Sequence, residues 1–167
     1  KQKAFIVWGI IPTTCFVAIS AYIALSPFIF QDILGLSPKN YGLLSLLIGS
    51  SVFFSGILNT YLVDTVSKYK LVSVSVVLQT TAGIMLILCH TQGWVSVGSL
   101  MISCFVYFWG LSFAFPNAFS AAFDVIKSDY GSAAALLSFI QLFAGFLASA
   151  FFAYLPEISV LPIALTF

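Results

Sequence analysis

The charged residues of this chain stand only at the breaks between long uncharged runs. Six are basic and five acidic among 167 residues: Lys1, Lys3, Asp32, Lys39, Asp64, Lys68, Lys70, Asp124, Lys127, Asp129 and Glu157. The intervening stretches 4–31, 40–63, 71–123 and 130–156 hold no ionisable side chain except His90, cysteines and tyrosines. A charge at the centre of a bilayer costs at least about 2.5–3.5 kcal/mol, so this spacing reads as charge excluded from hydrocarbon. Only 7% of the residues are charged and 61% are hydrophobic, against about 25% charged in a soluble domain. The chain is therefore expected to be an integral membrane protein whose surroundings are a lipid bilayer. A net charge of +1 and the absence of arginine exclude a nucleic-acid binder.

A helix needs about 20 apolar residues to cross the hydrocarbon. Runs 4–30, 41–63 and 131–155 meet that requirement. Run 71–123 would make a helix of roughly 80 Å, too long for one crossing. It divides at His90-Thr91-Gln92-Gly93-Trp94 into spans 71–89 and 95–115. After Pro156 and Glu157, the residues from 158 onward read as the first turns of a sixth span. The first run is longer than the apolar core of a signal peptide, and the chain reads as truncated at both ends. No alternation of the barrel type is present. The expected fold is all-α: a polytopic transmembrane bundle of five full spans and the start of a sixth, forming one unit over 1–167.

Alternating loops put Lys1, Lys3, Lys68, Lys70 and Lys127 on one side and Lys39 on the other. Basic loops remain cytoplasmic, which places the N-terminus inside. Trp94 and Tyr154 then fall near the outer interface.

Within lipid, helices associate through small residues that let backbones approach. The second span carries Gly42, Ser45, Gly49, Gly56 and Asn59 at steps of three or four, with a gap at Val52. The fifth carries Gly131, Ala135, Ser138, Gln141, Gly145 and Ser149 in the same rhythm, and the third has Ser75, Gln79 and Gly83. Gly49, Gly56, Gly131 and Gly145 are the expected packing positions. The first span, with Pro12, Pro27 and Tyr22, and the ring-rich fourth, with Tyr107 and Trp109, suit an apolar ligand pocket instead. Asn59 and Gln79 fit either a packing or a cavity role.

Catalysis is not expected. Ser112 follows Gly110 and Leu111, but the single histidine, His90, lies across most of the membrane from it, and no carboxylate falls inside a span. Cys15, Cys89 and Cys104 lack metal-ligand spacing and read as small apolar packing residues. No metal or cofactor is implied.

Several local motifs occur in order. Ser26-Pro27-Phe28-Ile29-Phe30-Gln31, Ser37-Pro38-Lys39-Asn40-Tyr41-Gly42, Pro116-Asn117 and Gly131-Ser132-Ala133-Ala134-Ala135-Leu136 with Gln141 and Gly145 resemble the seventh, eighth, tenth and eleventh spans of a major facilitator superfamily transporter. The Bcr/CflA drug-resistance exporters are the nearest group. The resemblance covers nearly the whole chain. The loop after the family's eighth span carries a basic, glycine-containing signature after an acid; here it keeps Asp64, Lys68 and Lys70 without arginine or glycine.

The resemblance implies that spans one and four line a central cavity, spans two and five border a partner half, and span three faces lipid. Substrate contacts then fall to Tyr22, Tyr107, Trp109, Asn117 and Gln141. It also implies a missing N-terminal six-span half, in the same or a separate chain, a small amphipathic organic substrate, protons as coupling ion and residence in a bacterial inner membrane. Because no span holds a carboxylate, the coupling acid is expected in the missing half. A membrane scaffold that uses its small-residue faces only to bind partner helices is the alternative.

Overall fold

The structure, a computed structural model, describes residues 2–126, 129–154 and 160–167, without the side chains of Gln2 and Ala153. Lys1, Lys127 and Glu157, used above for orientation and span limits, lie outside them, as do Leu155 and the start of the sixth run at 158. The elements are α1 (Gln2–Pro27), which passes into a π-helical turn (Phe28–Ile33), then α2 (Pro38–Leu62), α3 (Lys68–Thr91), α4 (Val97–Phe123), α5 (Tyr130–Ala153) and α6 (Leu161–Thr166). There is no strand among the described residues. Among the described residues five helices are long and apolar enough to cross a membrane, as the charge pattern requires.

Helix limits follow from local chemistry. Pro27 has no N–H to continue the α-helical ladder, and the chain widens at once into the π turn, with Leu34 N–H donating to the Ile29 carbonyl at 3.0 Å. The first helical body thereby extends to Ile33 and carries the exposed Asp32 at its tip. Pro38 occupies the first turn of α2, where its missing N–H costs nothing, and Ser37 caps it by accepting from Asn40 N–H at 3.3 Å. Between α3 and α4, Gly93 takes φ +68°, a left-handed turn that glycine tolerates. Ser96 and Ser99 then form a reciprocal capping box.

The fourth span departs from expectation. It was expected to stop at 115, before Pro116, yet α4 runs through Pro116 to Phe123. Proline inside a spanning helix is accommodated when neighbours satisfy the freed backbone. Pro116 frees the Ser112 carbonyl, and side-chain bonds brace the helix on either side of it: Ser112 Oγ donates to the Phe108 and Val52 carbonyls at 3.2 and 3.3 Å, and Asn117 Nδ2 donates to the Phe113 carbonyl at 2.8 Å. The following Ala118, Ala121 and Ala122 are strong helix formers, and all three are buried.

α4 is the most enclosed span and packs against α1, α2 and α3. α6 packs on α3 and α1, so α1, α4, α3 and α6 close a ring, while α2 is laid on α4 and α5 on α1. Close approach depends on glycine at four places, Gly110, Gly83, Gly9 and, at the α1–α5 contact, Gly145. A Cβ on Gly110 would stand 3.0 Å from Leu78 Cβ and 3.1 Å from the Ser75 carbonyl; one on Gly83 would meet the Ala164 carbonyl at 3.1 Å; one on Gly9 would meet Leu137 Cδ1 at 3.1 Å. Three buried serines satisfy their hydroxyls within their own helices, Ser51 on Ile48, Ser55 on Ser51 and Ser75 on Val72, at 2.6–2.7 Å. They therefore present small, flush surfaces with no orphaned polar group. Large side chains such as Leu46, Phe53, Val77, Phe139 and Phe146 cover the exterior.

The two ends of the bundle are distinct. At one end the rings of Trp8 and Tyr69 lie 5.2 Å apart, those of Phe5 and Phe123 6.1 Å apart, and Lys68 pairs with Asp124. At the other end Ser26 and Tyr41 share a hydrogen bond at 2.9 Å. Successive spans therefore alternate in direction, with Lys68 at the same end as the start of α1.

Candidate functional site

A chain without intramembrane charge can act on a ligand only through shape, aromatic surface and neutral hydrogen bonds. Those resources concentrate on α1 and α4. Tyr22, from α1, meets Phe108 of α4 edge to face with centroids 5.1 Å apart. Phe108 in turn meets Tyr107 at 5.6 Å and 87°. The Tyr107 ring stacks on Phe167, just past α6, at 3.8 Å and 11°. This arrangement joins Tyr22 and Tyr107 through a continuous ring cluster. Both are deeply buried, at 8% and 2% exposure, and form the core of the bundle rather than an open pocket wall.

The other three candidates are dispersed. Trp109 is half-buried on the α4 flank beside Phe105, centroids 5.7 Å apart. Asn117 is buried between α4 and α2, where both hydrogens of its amide are engaged: one by Asn59 Oδ1 at 2.7 Å and one by the Phe113 carbonyl. Asn59 is thus a helix-to-helix contact. Gln141 is buried on α5 against α1, and its Nε2 has no hydrogen-bond partner among the described residues. Gln79 serves packing: its amide reaches Cys15 Sγ at 3.6 Å and its stem lies beside Gly110.

The glycines separate into two groups. Gly145 lies at the α1–α5 contact, where an added Cβ would stand 2.6 Å from Ser20 Oγ and 2.9 Å from the Phe16 ring. Its seam is therefore within this chain, and the expectation that it borders a partner half is corrected: Phe16 and Ser20 already fill the space that a second bundle would need. Around Gly42, Gly49, Gly56 and Gly131 a Cβ would meet nothing within 4 Å. The single stripe read on the second span is likewise two faces. Ile48, Ser51, Ser55 and Asn59 are buried and hold α4, while Gly42, Gly49 and Gly56 turn elsewhere.

Two features escaped the sequence reading. The Lys68 ammonium pairs with Asp124 at the end of α4 and also donates to Ser120 Oγ at 3.3 Å, tying α3 to α4; Asp64 and Lys70 are exposed in the same region. Opposite charges at one predicted membrane face were the available signal. Second, Phe115, Phe119, Phe123 and Tyr130 stack in sequence with centroids 6.2, 4.8 and 6.4 Å apart. The i, i+4, i+8 spacing of the three phenylalanines was the signal there.

Among known proteins, the chain is similar to the "Uncharacterized MFS-type transporter YdgK" of Bacillus subtilis (strain 168), with 25% identity over 130 residues. That alignment takes in 77% of this chain, which spans about 32% of the length of the curated relative it matches. No family model matches the chain, and no solved structure matches it significantly. The name of that relative is that of an MFS-type transporter, and among the described residues of this chain five helices are long and apolar enough to cross a membrane.

Proposed function

We propose that this chain is one helical bundle of a secondary transporter of the major facilitator type, moving a small amphipathic organic compound by alternating access against a second bundle. The observation that carries the reading is the two-faced α2. Its serine face is consumed by α4, while a Cβ on Gly42, Gly49 or Gly56, a surface suited to close helix approach, would meet nothing within 4 Å among the described residues. Similarity to an MFS-type transporter more than twice as long as the aligned segment supports it. α2 then borders the second bundle, and α1 and α4 stand at the centre of the substrate path.

In this reading Trp109 touches substrate directly, being the half-buried member of the candidate set. Tyr22, Tyr107 and Asn117 position α1, α4 and α2. Gln141 holds an amide donor in reserve for a state in which α1 and α5 have moved. Proton coupling belongs to the second bundle, because the described acids all lie at helix ends or in loops. The uncharged, aromatic wall suits export of drug-like compounds by an antiporter in a bacterial inner membrane, with the Lys68 end cytoplasmic.

The test is transport in vesicles containing the assembled protein, using a panel of amphipathic dyes. Trp109→Ala should change the relative rates among dyes with protein abundance near normal. An unaltered dye profile for Trp109→Ala, Tyr22→Ala and Tyr107→Ala alike would place the substrate path elsewhere. Absence of any dye movement, with the chain still holding partner helices, would favour the scaffold.

A further inference from the structure

Leu137, Gln141, Gly145 and Ser149 recur every four residues on α5, and Gly9, Thr13, Phe16 and Ser20 every three or four on α1. Each set therefore runs along one face of its helix. The two faces meet in order. A Cβ on Gly9 would stand 3.1 Å from Leu137 Cδ1, Phe16 and Ser20 crowd Gly145, and Ser149 Oγ donates to the Ser20 carbonyl at 3.5 Å. Between the Gly9–Leu137 and Phe16–Gly145 contacts one member of each set is left, Thr13 on α1 and Gln141 on α5. The register sets them at the same level of the seam.

Gln141 is 5% exposed, and its Nε2 has no hydrogen-bond partner among the described residues. Leaving a buried amide donor unpaired is costly, the more so away from water. Thr13 holds what this donor lacks. Its Oγ1 spends its one proton on the Gly9 carbonyl at 2.8 Å, which leaves the acceptor capacity of the oxygen free. Donor and acceptor share a level and are not bonded, because the helices part there. Their contact is tightest at Gly145, where an added Cβ would stand 2.6 Å from Ser20 Oγ and 2.9 Å from the Phe16 ring. Toward the end of the bundle that carries Lys68 and Asp124 a cavity of about 810 Å³ separates them, with Thr13, Leu137 and Ile140 in its lining. α1 is also weakened at this point: Pro12 supplies no N–H, and a helix bends most readily at such a gap in its ladder.

We propose that the seam has two positions: the parts of α1 and α5 that precede Phe16 and Gly145 close on each other about the Gly145 contact, and the closed position is held by Gln141 Nε2 donating to Thr13 Oγ1. The structure described here is the open position. Polar side chains of this kind commonly bond across membrane helices, and the cavity supplies the room for closure. The bond gives a partner to the donor that the transporter reading holds in reserve, and rests on that reading for the second state of α1 and α5. Closure itself is measured without substrate.

The experiment is a distance measurement by double electron–electron resonance in the assembled protein in lipid nanodiscs. Spin labels are attached at Val7→Cys and Phe139→Cys after Cys15, Cys89 and Cys104 are replaced. Both positions are exposed, precede the Gly145 contact and lie outside the cavity lining. Two distances are expected. Gln141→Leu and Thr13→Val should each lower the population of the shorter one about fivefold, the scale of one net hydrogen bond, while Thr13→Ser, which keeps the hydroxyl, should retain it. A single distance in the labelled parent would overturn the proposal, and is the result expected if a fixed water satisfies Gln141 instead. Survival of the shorter distance in Gln141→Leu or Thr13→Val would overturn it too, as would its loss in Thr13→Ser. Two distances with this dependence in a protein that moves no dye would uphold the seam and count against the transporter reading alone.

Discussion

A glycine in a membrane helix can be a contact or a vacancy, and the residue alone does not say which. Gly145 and Gly49 occupy similar rhythms in sequence, yet a Cβ on the first would press into Ser20 and Phe16 while one on the second would meet nothing. Gly145→Leu should therefore destabilise this chain by about 1–3 kcal/mol, the usual cost of overpacking, and Gly49→Leu should leave it within about 0.5 kcal/mol. Thermal unfolding of the purified chain in detergent measures both. Similar losses for the two variants would contradict the division of the glycines. The difference was not legible because an i, i+4 pattern identifies a face but not its occupant. Tyr22 and Tyr107 illustrate the same limit: depth in the membrane could be counted, but not that Phe108 and Phe167 would enclose them.

Among elements, α4 carries the architecture, and its length was the feature least visible beforehand. Proline 116 read as a stop, because the rule for a single chain segment takes no account of what a neighbouring helix supplies. The Asn59–Asn117 bond ties α2 to α4 just past the proline and holds the continued helix against its neighbour. Asn117→Leu should cost about 1–3 kcal/mol by leaving buried Asn59 without its partner. Asn59→Leu with Asn117→Leu together should cost less than the sum of the two single changes. Additive losses would show that the two amides do not act as a pair. The other four spans lie within a few residues of the helices, since exclusion of charge from hydrocarbon acts on each segment independently of its neighbours, while the fourth runs eight residues past its expected end. The small α3 face of Ser75, Gln79 and Gly83 also holds protein as expected, meeting α4 and α6.

At the scale of the molecule, α1, α4, α3 and α6 pack in a closed ring, while α2 exposes an apolar, glycine-bearing face to whatever lies beside it. A rocking bundle needs both properties: a core that moves as a unit and a surface that another bundle can approach closely. A static scaffold needs only the second. The two accounts differ in whether the ends of α2 change exposure reciprocally. Gly42 and Gly56 lie toward opposite ends of α2, each with open space where a side chain would go. Cysteine can be placed at either position after Cys15, Cys89 and Cys104 are replaced by alanine or serine. The decisive measurement is the reaction rate of Gly42→Cys and Gly56→Cys with a membrane-impermeant thiol reagent, in the assembled protein, with and without a transported dye. Alternating access predicts that the dye raises the rate at one position and lowers it at the other; rates that stay constant, or change in the same direction at both, would contradict it.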